Sequence, residues 1–259
     1  MYEDREIKIS QKYLEEVISS VDEPIVLLGG WAVRCLVDDK YQKNTGRNYL
    51  GSRDIDLGFQ IGVKDIKDTV FFKTLMKLQH DLHFKPISFR LFKEFHTDTG
   101  EELKSEDAKT LPSYLIFPLY VDLIVDTIPP GFRERYNFTP IDEPLIEPIF
   151  EEKGNRIEQK LFGKTIWIPT TELIISMKIK SYPDRDKEHK RIKDICDISA
   201  LLLFSTLSVK DGWLKKYLHH EELERFQNTL NPEEISSVAD ILGIERTLIE
   251  RVFAKHKLL

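Results

Sequence analysis

Ser52-Arg53-Asp54-Ile55-Asp56-Leu57 sets two carboxylates one isoleucine apart in a segment that otherwise favours a β-strand. A strand repeats every two residues, so Asp54 and Asp56 project from one face, their Cα atoms about 6.7 Å apart. Aspartate is depleted in strands, and two in one short strand need a reason. Two ionised carboxylates turned toward a common point ~4 Å apart repel by about 4 kcal/mol at an effective dielectric of about 20. That arrangement asks for a cation, and an all-oxygen site suits magnesium.

A second stretch constrains the same region. Leu27-Leu28-Gly29-Gly30-Trp31-Ala32-Val33 runs from apolar residues through a glycine pair into a helical pattern. Glycine lets the backbone turn tightly and approach a ligand, and a helix start offers unpaired N–H groups to phosphate. A plain turn would use the same two glycines. The chain has no Gly-x-Gly-x-x-Gly and no Walker A lysine, which argues against dinucleotide-binding and P-loop sites.

Around these stretches the periodicity predicts an α/β first half. Residues 7–20 read as an amphipathic helix, 25–28 as a buried strand, 31–37 as helix and 38–51 as a polar loop. Residues 54–59 form the acidic strand, 63–82 a helix, and 87–96 an alternating strand. Residues 97–113 are a polar excursion before the strongly β-prone run 114–128. Residues 132–150, with Pro140, Pro144 and Pro148, read as irregular, and 157–168 as a β element turning at Gly163-Lys164. From Pro169 on the chain reads as helical. Thr170 or Thr171 caps a helix carrying Leu173, Ile174, Met177 and Ile179, followed by helices over 186–204, 209–218, 221–229, 232–242 and 245–257. No internal repeat is evident. The expected domains are an α/β domain, 1–168, and a helical domain, 169–259.

A third carboxylate interrupts the most apolar strand. Asp122 stands within Tyr120-Val121-Asp122-Leu123-Ile124, where an unmet charge is costly. If that strand neighbours residues 54–59, Asp122 completes a cluster of three acids. Asp126 falls on the same face nearer the strand end, where a solvated role is expected, so Asp122 is the choice.

Composition bounds the partners. At 41% hydrophobic and 32% charged, the chain has the make-up of a soluble globular protein. A net charge of −6 argues against a broadly basic DNA or RNA binder, though not against a local groove for phosphates. No apolar run is long enough for a membrane span, and Met1-Tyr2-Glu3-Asp4-Arg5 lacks a signal peptide's apolar core. Cys35 and Cys196 form no metal-ligand spacing, and a cytoplasmic setting is expected.

Taken together, Gly29-Gly30, Ser52-x-Asp54-x-Asp56 and a strand-borne Asp122 resemble the polymerase-β-type nucleotidyltransferase superfamily. The later series Glu172-Leu173, Lys178, Arg185 and Lys193-Asp194-x-x-Asp197 resembles its AbiEii toxin-like branch. The resemblance covers residues from about 25 to 205. It implies a nucleotidyltransferase-like mixed sheet with flanking helices plus a helical C-terminal domain. It also implies transfer of an NMP from an NTP such as ATP to an acceptor hydroxyl, with two Mg²⁺ ions on Asp54, Asp56 and Asp122. Gly29, Gly30, Ser52, Lys178 and Arg185 would contact the nucleotide, and Asp194 would orient Lys178 or Arg185. The implied acceptor is an RNA end, tRNA among them, rather than DNA, with an antitoxin protein as a possible partner. A small alcohol or a protein hydroxyl is compatible with the same chemistry, and a non-catalytic nucleotide- or partner-binding relative is the alternative.

Other groups carry less. Lys178 sits among apolar residues as a packed lysine would, and Asp194 and Asp197 have lysines four residues away. His80-x-x-His83 has helical spacing but no third ligand. His219-His220-Glu221-Glu222 reads as a solvated joint, and the basic run 187–193 is either a phosphate contact or the wet face of a helix.

Overall fold

The computed structural model describes residues 3–259 except 63–65, 137, 207, 208, 210 and 211. It is a mixed α/β structure with twelve α-helices among the described residues and an eight-stranded mixed sheet. By internal packing the chain forms two compact units. Unit 1 is Met1–Trp31 with Gly51–Ile168, and unit 2 is Ala32–Leu50 with Pro169–Leu259. Residues 32–50, expected in the first domain, thus group with the C-terminal helices. No helix among the described residues is long and apolar enough to cross a membrane.

Unit 1 is organised by the sheet. Its strands are β1 (Ile25–Leu27), β2 (Ile55–Phe59), β3 (Lys85–Ile87), β4 (Arg90–His96), β5 (Ile116–Val125), β6 (Ile141–Asp142), β7 (Arg156–Leu161) and β8 (Lys164–Pro169). The order is β3-β4-β5-β2-β1-β8-β7, with β6 pairing β5. β2 and β5 are parallel, β4 and β5 antiparallel, and β1 is antiparallel to β2 but parallel to β8. In β5, Phe117, Leu119, Val121, Leu123 and Val125 are buried, which explains the strength of its β signal. Helix α1 (Asp4–Ser20) buries Ile9, Tyr13, Leu14, Val17 and Ile18, the stripe its periodicity predicts. Tyr13 packs against the rings of Phe84 and Phe95. Helix α3 (Val70–His80), capped by the Thr69 hydroxyl, sets Phe71 against Phe59 and Phe132.

Two local expectations are corrected in unit 1. The run 87–96 is not one strand but the end of a hairpin, turning at Ser88-Phe89, with Ser88 at φ 55°. The segment 132–150 is not wholly irregular: it holds α5 (Phe132–Tyr136), β6 and α6 (Glu147–Glu151). Within the excursion 97–113 lies one short helix, α4 (Ser105–Thr110).

Helix α2 (Gly29–Thr45) extends well beyond Val37, so the expected loop over 38–51 begins only after Thr45. Its polar residues disguise it because they face outward or bond back to the helix. Asn44 and Thr45 donate to the carbonyls of Lys40 and Tyr41, and Arg34 pairs with Asp38 four residues on. The other face is apolar: Tyr41 is buried against Phe204, and its hydroxyl donates to the Leu242 carbonyl.

Unit 2 contains α7 (Thr171–Ser181), α8 (Glu188–Phe204), α9 (Trp213–Tyr217), α10 (His220–Thr229), α11 (Pro232–Leu242) and α12 (Arg246–Lys255). α7 is buried nearly all round, as a central helix must be. Thr170 stands at its N-cap without a side-chain bond, and the Thr171 hydroxyl instead meets Ser205 at 2.7 Å. His219 and Glu222 form a capping box on α10, which gives the expected solvated joint a structural task. Of the helix expected over 209–218, the described part is α9; residues 210 and 211 lie outside the described residues.

Candidate functional site

Sheet register brings the two acidic strands together. β2 and β5 run side by side with Asp56 opposite Asp122, and β4 places Arg90 opposite Asp122 on its other side. Residues paired across neighbouring strands share a face, so Asp56, Asp122 and Arg90 form one row across three strands. Ile55 and Leu57 point the other way and are fully buried. Asp54 stands one residue before β2 and reaches the same row through Arg90.

Arg90, which belongs to no motif in the sequence, is the centre of the site. Its Nε donates to Asp122 Oδ1 at 2.6 Å, and its Nη2 donates to Asp122 Oδ2 at 2.7 Å and to Asp54 Oδ2 at 2.9 Å. The two parallel bonds to Asp122 are the forked geometry that makes arginine–carboxylate pairs strong. Tyr120 lies against the guanidinium at 4.1 Å and Phe89 at 5.9 Å. Burial opposes the charge on Arg90, but Asp122 and then Asp54 outweigh it and raise its pKa above the usual arginine value. The signal that could have found it is a two-residue hairpin turn at Ser88-Phe89, which would align Arg90 with the acidic strand.

Gly29 and Asp56 are packed against each other. Gly29 opens α2 at φ +60°, and a Cβ there would stand 1.7 Å from Asp56 Oδ2. Only glycine leaves room for that carboxylate, and the left-handed backbone also favours glycine. Asp56 is thereby placed at the first turn of α2, where the helix carries its unpaired N–H groups and positive end. The Asp56 carbonyl accepts from the Leu28 amide at 2.9 Å, which ties the end of β1 to β2. Gly30 follows within the same turn. Ser52 is buried two residues ahead of Asp54. Asp126, just past β5, accepts from the amides of Ile61 and Thr127, so its task is to hold loops.

The donors are of the kind magnesium takes: Asp56 and Asp122 on one sheet face, and Asp54 just before β2. As they stand, however, two of the three are engaged by Arg90. Among the described residues, no three His, Cys, Asp or Glu side chains converge as a group able to hold a metal ion. His80 and His83 belong to no such group either.

Unit 2 carries a second ionic cluster, which gathers the later motif. Lys178 Nζ lies 2.9 Å from Asp194 Oδ1 and 2.6 Å from Asp197 Oδ2. Asp194 also accepts from Arg185 Nε at 2.8 Å, so it holds both cations it was expected to orient. Asp197 pairs with Lys193, its neighbour four residues back, and accepts from the Tyr49 hydroxyl at 2.6 Å. Burial works against the Lys178 charge, but Asp194 and Asp197 prevail and raise its pKa. For Asp197, burial is likewise overcome by Lys178 and Lys193, and its pKa is lowered. Burial first, then Asp197, lifts the Tyr49 phenol well above its usual value. Tyr49 is the member that no sequence motif marks. In the basic run, Lys187 and His189 are exposed, Arg191 pairs with Glu234 at 2.8 Å, and Lys193 is buried in the cluster.

No family model matches this chain, and no curated protein matches it. Among solved structures, the chain is similar to an antigenic nucleotidyltransferase-like protein from Paracoccidioides brasiliensis. The two are 15% identical over 93% of this chain and 94% of that one, with a TM-score of 0.44.

Proposed function

We propose that this chain is a nucleotidyltransferase that moves an NMP from an NTP to an acceptor hydroxyl, with pyrophosphate leaving. The observation that carries the reading is the register of Asp56 against Asp122, with Gly29 packed on Asp56 at the start of α2. It puts carboxylates beside a helix N-terminus, the pairing of acid and amide donors that a triphosphate with its counter-ions calls for.

In this reading the amides of Gly29 and Gly30 bind the triphosphate, and Ser52 adds a hydroxyl near Asp54. Asp54, Asp56 and Asp122 would hold magnesium, two ions in the full assembly. When bound, it would neutralise the triphosphate and acidify the acceptor hydroxyl. Asp122, the most buried of the three, orients the acceptor and receives its proton. In unit 2, Arg185 keeps about a third of its side chain exposed while Lys178 is enclosed by Asp194 and Asp197. Arg185 is therefore the cation of unit 2 assigned to an anion, and Lys178 and Asp194 position it.

The resemblance to the toxin-like branch favours an RNA end, tRNA included, as acceptor in the cytoplasm, with an antitoxin protein as regulator. The deciding experiment supplies each labelled NTP, Mg²⁺ and total RNA to the wild type and to Asp54→Asn/Asp56→Asn. Label should enter RNA with the wild type alone; equal labelling by both proteins removes the catalytic assignment. One observation favours a second reading, a non-catalytic nucleotide binder: Arg90 already engages two of the three carboxylates. Magnesium-dependent NTP binding without transfer to RNA, protein or small alcohols would select it.

A further inference from the structure

Phe89 is an aromatic residue that the core does not claim. It stands at the tip of the β3–β4 hairpin, 45% exposed. Ile87 pairs with Arg90, which leaves only Ser88 and Phe89 in the turn and fixes where the ring can be. Turns this short favour Asn, Asp and Gly, so the turn itself does not explain a large ring there.

The ring forms part of a cavity of about 370 Å³, built within unit 1 from two distant stretches. Pro86, Ser88 and Phe89 line it from the hairpin, and Arg133, Phe138 and Thr139 from the segment after β5. Phe138 is buried and anchors one apolar side. Arg133 is exposed, makes no hydrogen bond or ion pair with another described residue, and is the one charged residue of the lining among the described residues. The cavity thus combines a half-exposed ring, two hydroxyls and a cation, with no carboxylate in the described lining to repel an anion. Arg90 follows Phe89 in the chain, lies 5.9 Å from its ring and bonds Asp122, so the cavity neighbours the acid row.

We propose that this cavity is a subsite for one nucleotide unit, its base stacked on Phe89 and its phosphate held by Arg133. Every base has a face that stacks on an aromatic side chain, and a guanidinium matches phosphate with paired N–H donors. The Ser88 and Thr139 hydroxyls can meet base edges or ribose. Ligand pockets span about 300–1,000 Å³, and this one, at the small end, suits a single nucleotide rather than a triphosphate with its acceptor. The proposal rests on the nucleotidyltransferase reading and deepens it. That reading assigns the triphosphate to the glycine turn of α2, so the unit beside the hairpin is the acceptor's.

The test measures binding by calorimetry and NMR saturation transfer, in EDTA so that no divalent ion contributes. The probes are nucleoside 5′-monophosphates, the matching nucleosides, phenyl phosphate and a single-stranded RNA trinucleotide. Phe89→Leu should weaken monophosphate and nucleoside alike by about tenfold, whereas Phe89→Tyr, which keeps the ring, should retain wild-type affinity. Arg133→Gln should weaken the monophosphate by about tenfold and leave the nucleoside unchanged. Phe89 and Arg133 are both exposed, so these replacements leave the core intact. A trinucleotide bound more tightly than the monophosphate identifies an RNA end as the source of the nucleotide; equal or weaker binding identifies a free nucleotide, and both uphold the subsite. Phenyl phosphate bound as tightly as the monophosphates overturns it, as does monophosphate affinity unchanged in Phe89→Leu or Arg133→Gln. If label still enters RNA from NTP while those affinities are unchanged, the subsite alone is lost. Absence of both nucleotide binding and labelling removes the subsite and the reading beneath it.

Discussion

Asp56 and Asp122 are direct register partners on two neighbouring parallel strands, although 65 residues of chain lie between them. Every functional expectation for unit 1 follows from that pairing. Replacing Asp122 by Ala removes the acid that takes two of Arg90's three bonds and leaves a half-buried guanidinium with Asp54 alone. Breaking a buried pair by removing one partner costs about 3–5 kcal/mol, and the solvent still reaching Arg90 puts this case at about 3 kcal/mol. Urea unfolding measures it, and transfer of label to RNA should vanish in the same variant.

Gly29→Ala should be more damaging than a single methyl suggests. The new Cβ collides with Asp56 Oδ2 and must adopt a left-handed backbone. The backbone term alone is about 1–2 kcal/mol. A double-mutant cycle with Asp56→Ala separates the collision: the combined variant should be more stable than the sum of the two single losses predicts.

The Lys178 cluster predicts the pH range of stability. Asp197 has its pKa lowered below the ordinary 3.8, so its contribution is complete above that value and fades as pH falls through the lowered one. Lys178 has its pKa raised above 10.5, so its contribution is complete below 10.5 and fades as pH rises through the raised one. Tm should therefore be insensitive to these two groups from about pH 5 to 9, and their contributions should be lost only below pH 3.8 and above pH 10.5. Lys178→Met should cost about 3–5 kcal/mol at neutral pH and remove the Lys178 part of the alkaline loss, as thermal melts across pH would show.

Tyr49→Phe deletes the 2.6 Å bond from its hydroxyl to the Asp197 carboxylate and little else. A hydrogen bond to a charged group is worth about 1.5–3 kcal/mol, and chemical denaturation should return a loss in that range.

Both thiols should be slow to alkylate in the folded protein. Burial pushes Cys35 up to about 11 and Cys196 higher still, so little thiolate exists at pH 8. Iodoacetamide labelling followed by mass spectrometry should be slow for both in buffer and fast in guanidinium chloride.

Much of the local structure was legible because it is written in periodicity. α1, β1, β2, α7, α8 and α11 lie where the apolar spacing puts them, since each buries one face or is buried whole. Residues 38–45 of α2 look like loop in the sequence because they are polar, and polarity says nothing about carbonyls satisfied by a residue's own helix or about a single buried tyrosine. Residues 87–96 read as one strand because Ser88-Phe89 lacks the Asn-Gly, Asp-Gly or Gly-X pair that marks a two-residue hairpin turn, although Ser88 takes the left-handed conformation.

The chain's own letters were enough to name the acids Asp54, Asp56 and Asp122 and the glycine pair, because charge in an apolar strand and glycine before a helix are costly unless used. They were not enough to find Arg90, Tyr49 or the passage of residues 32–50 into unit 2. Those follow from which strand lies beside which and which helix lies under which. Pairing of that kind is decided by the joint burial of distant segments, a property of the packed chain that no local stretch carries.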